Sequence, residues 1–287
     1  MPALKRLLNR SEEVTDHRLT TICEPHDVRV FAKVRLADVL PIEGSGVAAS
    51  AYSFALRAHI DFLVVDESFD PLFAVEFDGP HHQTKDQIRR DALKNTLCRQ
   101  FGLPLLRVDE RFLDARYMDM DLLTWLVGVI LTRRADRALV QLGDLSPEDA
   151  AVSDPIFCAP FVISYNAQER LIANHEAGIC DRYAPFFIGV DQQENAYGVA
   201  GIRLANGMWV YTIAEMANQG FFLLAEDLLD EIIHIKLAHT LEMVIAGRHS
   251  PVSPNTFGEC VGGFLRKYRS RHSFLINPRT GEIGNIG

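Results

Sequence analysis

The chain has 287 residues, which is enough for two domains, and 48% of them are hydrophobic, which excludes a largely disordered protein. Its net charge of −9 argues against a protein that coats nucleic acid with its whole surface, although a local basic groove stays compatible with it. The sequence has no apolar stretch of about 18 residues and no signal-peptide pattern, so a cytoplasmic protein without a membrane partner is expected.

The first elements are a helix, a strand and a pair of buried strands. Apolar residues recur at helical spacing over residues 4–22, and strict alternation over 28–35 predicts a strand. Residues 37–54 are rich in proline, glycine and alanine and favour a loop. The segments HIDFLVV (59–65) and PLFAVEFD (71–78) are separated by a short polar connection, so they are predicted to pair antiparallel.

The next segment is a helix with recognisable ends, since Thr84 is a suitable N-cap and Gly102 a suitable stop. A short buried strand and a long helix follow it. This order predicts an α/β domain around one mixed sheet over residues 1–143. The polar residues 144–155 are the predicted linker, and residues 156–287, with strand-like segments and a long helix near 226–246, are predicted to form a second, α+β domain.

Three acidic residues in the two central strands carry the chemical signal. Glu76 and Asp78 are two apart on a strand and should project from the same face, and Asp61 interrupts the apolar run of the neighbouring strand. Carboxylates placed together suit a cation such as Mg2+, which prefers oxygen ligands. For Asp78 a turn-forming role before Gly79 is the alternative.

The helix that follows offers a polar face next to these acids. At 100 degrees per residue, Gln87, Asp91 and Lys94 share one side of it. Lys94 could activate or position water beside a metal, while an ordinary surface ion pair between Asp91 and Lys94 is the simpler interpretation. His82 precedes the helix and is either part of the site or a solvated loop residue.

The segments HIDFLVVD, AVEFDGPHH, QIRRDALKNTLC and FGLPLLRVD, in this order, resemble a bacterial domain allied to the very-short-patch-repair endonucleases, within the PD-(D/E)XK nuclease superfamily. The resemblance covers residues 4–110. It implies a restriction-endonuclease-like core and hydrolysis of phosphodiester bonds that depends on Mg2+ or Mn2+. Asp61 and Glu76 match the two metal-binding acids of the motif.

The resemblance also implies roles for further residues. Asp78 stands where the superfamily usually has lysine, and in relatives with this substitution the cation is thought to come from the following helix, which nominates Lys94. His82 matches a histidine of the motif, Gln87 and Asp91 match the polar helix face, and Glu12 is similar to an acid on the first helix. Two features depart from the pattern: Ile60 replaces a proline, and the four-cysteine zinc finger of some relatives is absent.

The expected function is therefore a metal-dependent nuclease acting on nucleic acid, with DNA preferred over RNA as the substrate. Two alternatives stay open: a nuclease-fold module that binds nucleic acid or assembles without turnover, and a nuclease effector of a defence system with a protein partner for the second domain. Further nucleic-acid contacts are predicted at Arg90 and at a basic segment of the second domain, Arg266, Lys267, Arg269 and Arg271, which could equally be a solvated surface or an interdomain contact.

Overall fold

A computed structural model describes residues 5–79, 84–114, 116–117, 120–182, 184–218, 221, 225–276 and 283–285. In chain order its helices and strands are α1 (Arg10–Cys23), β1 (Arg29–Arg35), α2 (Leu36–Val39), α3 (Ala49–Ala55), β2 (His59–Val65), β3 (Pro71–Phe77), α4 (Lys85–Gln100), β4 (Leu105–Val108), α5 (Glu110–Asp114), β5 (Arg116–Tyr117), β6 (Met120–Asp121), α6 (Leu122–Leu142), α7 (Pro147–Val152), α8 (Tyr165–Glu176), β7 (Ala184–Val190), β8 (Ala196–Arg203), β9 (Trp209–Met216), α9 (Ala225–Ile245), α10 (Pro254–Lys267), β10 (Arg269–Ile276) and β11 (Ile283–Asn285).

The chain forms two units. The first comprises residues 1–161 with 219–222, and the second comprises 162–218 with 223–287. The predicted linker at 144–155 lies inside the first unit and carries the short helix α7, which Ser146 caps. Arg133 of α6 forms a salt bridge with Asp154, and this contact attaches the segment to the first unit. The boundary in the structure is therefore between residues 161 and 162.

A four-stranded mixed sheet in the order β1-β2-β3-β4 is the centre of the first unit. The pair β2–β3 is antiparallel, as the sequence predicts; β1–β2 is also antiparallel, and β3–β4 is parallel. A parallel pair needs a crossover connection, and α4 supplies it. The core between α3, α4 and the sheet contains Ala55, Ile60, Ala74, Leu97 and Leu105. The mixed α/β class is thus confirmed for this unit.

Caps define the two helices that reach the candidate site. In α1, Asn9 and Glu12 form a capping box, in which each side chain accepts a hydrogen bond from the backbone N–H of the other residue. In α4, the Thr84 hydroxyl accepts from the N–H of Gln87, and the helix ends next to Gly102, whose φ of +71° suits glycine. The prediction of a loop over residues 37–54 was right for residues 40–48 and wrong at both ends, where most of α2 and of α3 lie and where Ala51 is buried in the core.

A five-stranded antiparallel sheet in the order β11-β10-β7-β8-β9 forms the second unit. The long helix α9 packs on one face, where Leu229 and Ile233 contact the main core. Phe257 and Phe264 of α10 cover the other face. Both faces of β8 are buried, and this explains its small residues. No helix in the described part of the chain is long and apolar enough to cross a membrane.

Gly201 on β8 provides a test of this packing. A Cβ atom at Gly201 would lie 2.5 Å from the Phe257 ring, so we expect Gly201→Ala to lower the free energy of unfolding by about 1–3 kcal/mol. The matched control is Gly258→Ala on α10, which would meet no atom within 4 Å and should be neutral or stabilising by up to about 1 kcal/mol. Urea denaturation of the full chain measures both. Equal effects of the two changes would contradict the close approach of α10 to β8.

Candidate functional site

The candidate site lies where β2 and β3 separate. Their backbone pairing begins at Phe62 opposite Val75, although both strands continue beyond this pair towards Asp61 and Glu76. Beyond this pair, the two acidic side chains form the hydrogen bonds between the strands. The Glu76 carboxylate accepts the backbone N–H of Asp61 at 3.2 Å, and the Asp61 carboxylate accepts the backbone N–H of Phe77 at 3.0 Å. Each acid therefore replaces a missing backbone partner on the other strand.

Lys94 of α4 reaches the same point. Its ammonium donates to the second carboxylate oxygen of Glu76 at 2.6 Å and to the carbonyl oxygen of His59 at 2.8 Å. Both side chains of this ion pair are buried. The predicted position of Lys94, beside Glu76 on the same side of the sheet, is confirmed. Its role in catalysis stays a prediction.

A second lysine completes the site, and sequence reasoning did not single it out. The Lys33 ammonium of β1 donates to Asp61 at 2.6 Å and to Glu12 of α1 at 2.9 Å. Lys33 has a φ of +56°, an uncommon conformation for a residue with a side chain. Burial lowers the pKa of this lysine, but its bonds to Asp61 and Glu12 outweigh that effect and raise the pKa above its usual value.

Arg107 of β4 organises a neighbouring cluster. Its guanidinium donates to Asp78 at 2.6 Å, to Asp91 at 3.3 Å and to Asn95 at 3.1 Å. Gln87 also donates to Asp91, so the polar face predicted on α4 exists. Asp91 is nonetheless paired with Arg107 rather than with Lys94, because Lys94 points to Glu76.

An open cavity of about 430 Å3 connects these groups to solvent. Its lining includes Glu12, Asp61, Glu76, Gln87 and Lys94. Among the described residues that line this cavity, Asp78 is absent. Its carboxylate forms a salt bridge with Arg107. His82 falls outside the described residues.

The environment of Glu76 changes its acidity. Burial raises the pKa of Glu76 to about 7, with the Asp61 charge acting in the same direction and the Lys94 ammonium opposing both. This pKa lies close to neutral pH, well above that of an ordinary carboxyl group. Perturbed carboxyl groups in a cleft mark candidate functional sites.

The predicted nucleic-acid contacts occupy two places. Arg90 is exposed on α4 and lines cavities next to the site. In the second unit, Arg266 and Lys267 end α10, and Arg269 forms a salt bridge with Glu194 at 2.7 Å. Arg271 lies on β10, and its side chain is outside what the structure describes.

Lys33 and Arg107 are the functional candidates that the sequence did not reveal. Arg107 is a charged residue within the short buried strand LPLLRVD, and that placement was the available signal. Lys33 gave none, because it fits the polar face of an ordinary alternating strand. Only its left-handed backbone and the register of β1 bring it to Asp61.

The described residues contain no group of three or more histidine, cysteine, aspartate or glutamate side chains arranged to hold a metal ion. The two acids expected to bind metal instead have lysine partners, Lys33 for Asp61 and Lys94 for Glu76.

A comparison with protein families matches the first part of the chain. Residues 4–118 match the model of the family described as "Protein of unknown function (DUF2726)". A protein of Haemophilus influenzae described as "Uncharacterized protein" is 26% identical over 110 residues, which is 38% of this chain and 56% of that protein. The chain thus spans about half the length of this curated relative. No solved structure matches.

Proposed function

We propose that the chain is a metal-dependent nuclease that hydrolyses phosphodiester bonds of nucleic acid, with DNA as the first substrate to test, and that its first unit has a restriction-endonuclease-like core. The observation that carries the proposal is the meeting of Asp61, Glu76 and Lys94 at one open cavity. Two carboxylates can hold a metal ion that activates water, and a lysine ammonium beside them can orient that water.

The donor atoms fit a small, hard dication. Mg2+ is commonly held by one or two carboxylates together with substrate phosphates, and Asp61 and Glu76 offer two carboxylates. The backbone carbonyl near Phe77 is the third protein donor in this proposal. When bound, Mg2+ or Mn2+ would lower the pKa of a coordinated water and offset negative charge on the phosphate.

The residues of the chain have separate tasks in this proposal. Lys94 holds its ammonium beside Glu76, from where its protons can orient a water molecule or a phosphate oxygen. Lys33 and Glu12 are positioning residues, because they fix Asp61 from the side opposite Glu76. Gln87 lines the cavity and can donate to a phosphate oxygen.

A binding or assembly module without turnover is the second candidate, and the ion pairs favour it. The carboxylates of Asp61 and Glu76 are each 2.6 Å from a lysine ammonium, so a dication would have to share or displace these partners. Asp78, where a catalytic lysine would be expected from the resemblance, is bound to Arg107. The two candidates differ in one measurable property, which is cleavage.

The substitutions Asp61→Asn and Glu76→Gln test catalysis. Each should reduce cleavage of plasmid, linear or single-stranded DNA in Mg2+ or Mn2+ by at least about 100-fold, because each removes the charge of a ligand while keeping the side-chain size. Asp70→Asn, an exposed change in the turn between β2 and β3, is the matched control and should retain cleavage. Circular dichroism verifies folding. Full activity of both site variants would refute the assignment of the site. If the unmodified protein does not cleave DNA, the second candidate, a binding module without turnover, is the function that stays.

The pH dependence of metal binding tests the raised pKa of Glu76. Metal ligands must be deprotonated, so a dication competes with the proton on this carboxyl group. We expect the apparent affinity for Mn2+ to weaken about tenfold per pH unit below about 7 and to level off above it. Isothermal titration from pH 6 to 8 measures this. A flat profile, or one that Glu76→Gln leaves unchanged, would contradict the role of Glu76.

The same shift has a consequence without metal. Because the folded protein keeps the Glu76 proton up to about pH 7 and the unfolded chain loses it near 4.5, the contribution of Glu76 to stability falls as pH rises through this window. In EDTA, the difference in unfolding free energy between Glu76→Gln and the unmodified protein should grow over the same range, in favour of the variant.

The basic segment at the end of α10 is the second predicted nucleic-acid contact. Replacing Arg266, Arg269 and Arg271 by alanine should make the logarithm of DNA affinity less steep against the logarithm of salt, by about 0.9 for each phosphate that is no longer neutralised. The salt bridge from Arg269 to Glu194 favours a smaller change, since that guanidinium already has a partner. Fluorescence anisotropy between about 50 and 200 mM salt gives the slope. An unchanged slope would assign the segment to packing within its own unit.

A further inference from the structure

Two more cavities lie in a row beside the candidate site, and each cavity shares lining residues with the next. A cavity of about 160 Å3 shares Gln87 and Lys94 with the site cavity, and it shares Arg57 and Arg90 with a third cavity of about 560 Å3. The three cavities therefore follow one another in a row, and we call this row the groove. It runs between α3 and the first half of α4 and ends at the acids.

Three arginines line the far part of this groove. Arg57 follows α3, and Arg89 and Arg90 lie on α4, where Asp86 is the acid in the lining of the third cavity. All three arginines are exposed. Arg57 donates from its Nε to the carbonyl of Ser53, and in the described part of the chain none of the three has a carboxylate partner.

This arrangement differs from the site itself. At the site every lysine is matched to a carboxylate, whereas the 560 Å3 cavity is lined by three guanidinium groups and one carboxylate, a local net charge of +2 in a protein whose overall charge is −9. Keeping like charges together without partners raises the energy of the free protein. An arrangement of this kind is stabilised by an anionic ligand.

The chemistry of the groups indicates which anion. Guanidinium groups present planar forks that match phosphate oxygens in two-point contacts. A row of them leading to a hydrolytic site fits an anion with charges repeated along its length.

We propose that Arg57, Arg89 and Arg90 bind successive backbone phosphates of a nucleic-acid strand and lead it to Asp61 and Glu76. The inference rests on the proposed function and deepens it, since it gives the nucleic acid a direction of entry to the site. Binding is to the sugar-phosphate backbone, so it is independent of base sequence.

The test is the salt dependence of binding by the variant R57A/R89A/R90A, measured in EDTA by anisotropy with a fluorescein-labelled duplex. Removing three charges that each neutralise a phosphate reduces the salt slope by about 2.7, so that the drop in affinity between 50 and 200 mM salt is about 40-fold smaller than in the unmodified protein. The matched control, R99A/R111A/R137A, removes three exposed arginines that line none of the three cavities, and it should keep the slope.

A charge-preserving variant, R57K/R89K/R90K, makes the result independent of folding defects. It should keep most of the slope, because lysine also binds phosphate as a point charge. The proposal is overturned if the alanine and control variants have the same slope, if the duplex does not bind at all, or if polyglutamate of equal charge competes as well as unlabelled DNA, which would indicate an acidic protein partner.

Failure of the groove and failure of the proposed function give different results. Cleavage by the unmodified protein, together with an unchanged slope in R57A/R89A/R90A, would refute the groove alone. The opposite pattern, a reduced slope without cleavage under any metal condition, would support the groove and refute the nuclease.

Discussion

The first unit depends on the way Asp61 and Glu76 complete each other's strands. A pair of strands that separates inside a protein leaves backbone N–H groups without partners, and an unpaired buried group costs about 1–3 kcal/mol. Here each carboxylate accepts an N–H from the opposite strand, so the sheet opens without that penalty. The opening exposes the edge of β3 to a cavity, and the acids that make it possible line that cavity.

Placing two carboxylates between the strands creates electrostatic repulsion, which two lysines offset. Two carboxylates this close repel, and Glu76 is almost fully buried. Lys94 and Lys33 neutralise them from opposite sides, one from α4 and one from β1. The strained backbone of Lys33, which costs of the order of 1–3 kcal/mol, persists because its ammonium is held by two acids. Even so, burial outweighs Lys94 in its effect on Glu76 and raises the pKa towards neutrality. The ion pairs hold the cluster together, while the pKa of Glu76 lies near neutral pH.

The elements around the site could be predicted from sequence because each has a local signal. The runs at 59–65 and 71–77, the Thr84 cap and the stop at Gly102 all depend on residues near in sequence. The partners of the acids could not be predicted in the same way. Lys33 depends on an irregular backbone in β1, and Arg107 on the pairing of β3 with β4, which are distant features of the fold. The alanine-rich segment at 49–55 was misjudged because glycine and proline precede it, whereas burial of its alanines in the core stabilises a helix there.

An acidic protein can bind a polyanion when its positive and negative charges are segregated over distances longer than the screening length. At physiological salt the Debye length is about 8 Å, so charges on remote surfaces contribute little to the potential inside a groove. The electrostatic potential in the 560 Å3 cavity is then set mainly by Arg57, Arg89 and Arg90, together with the carboxylate of Asp86. At the end of the groove, Asp61 and Glu76 each have a lysine ammonium at 2.6 Å, which reduces their opposition to this potential. A dication that took the place of these ammonium groups would leave the lysines free to contact phosphate. The ion pairs that favour a silent binding module would then be the resting form of a catalytic one.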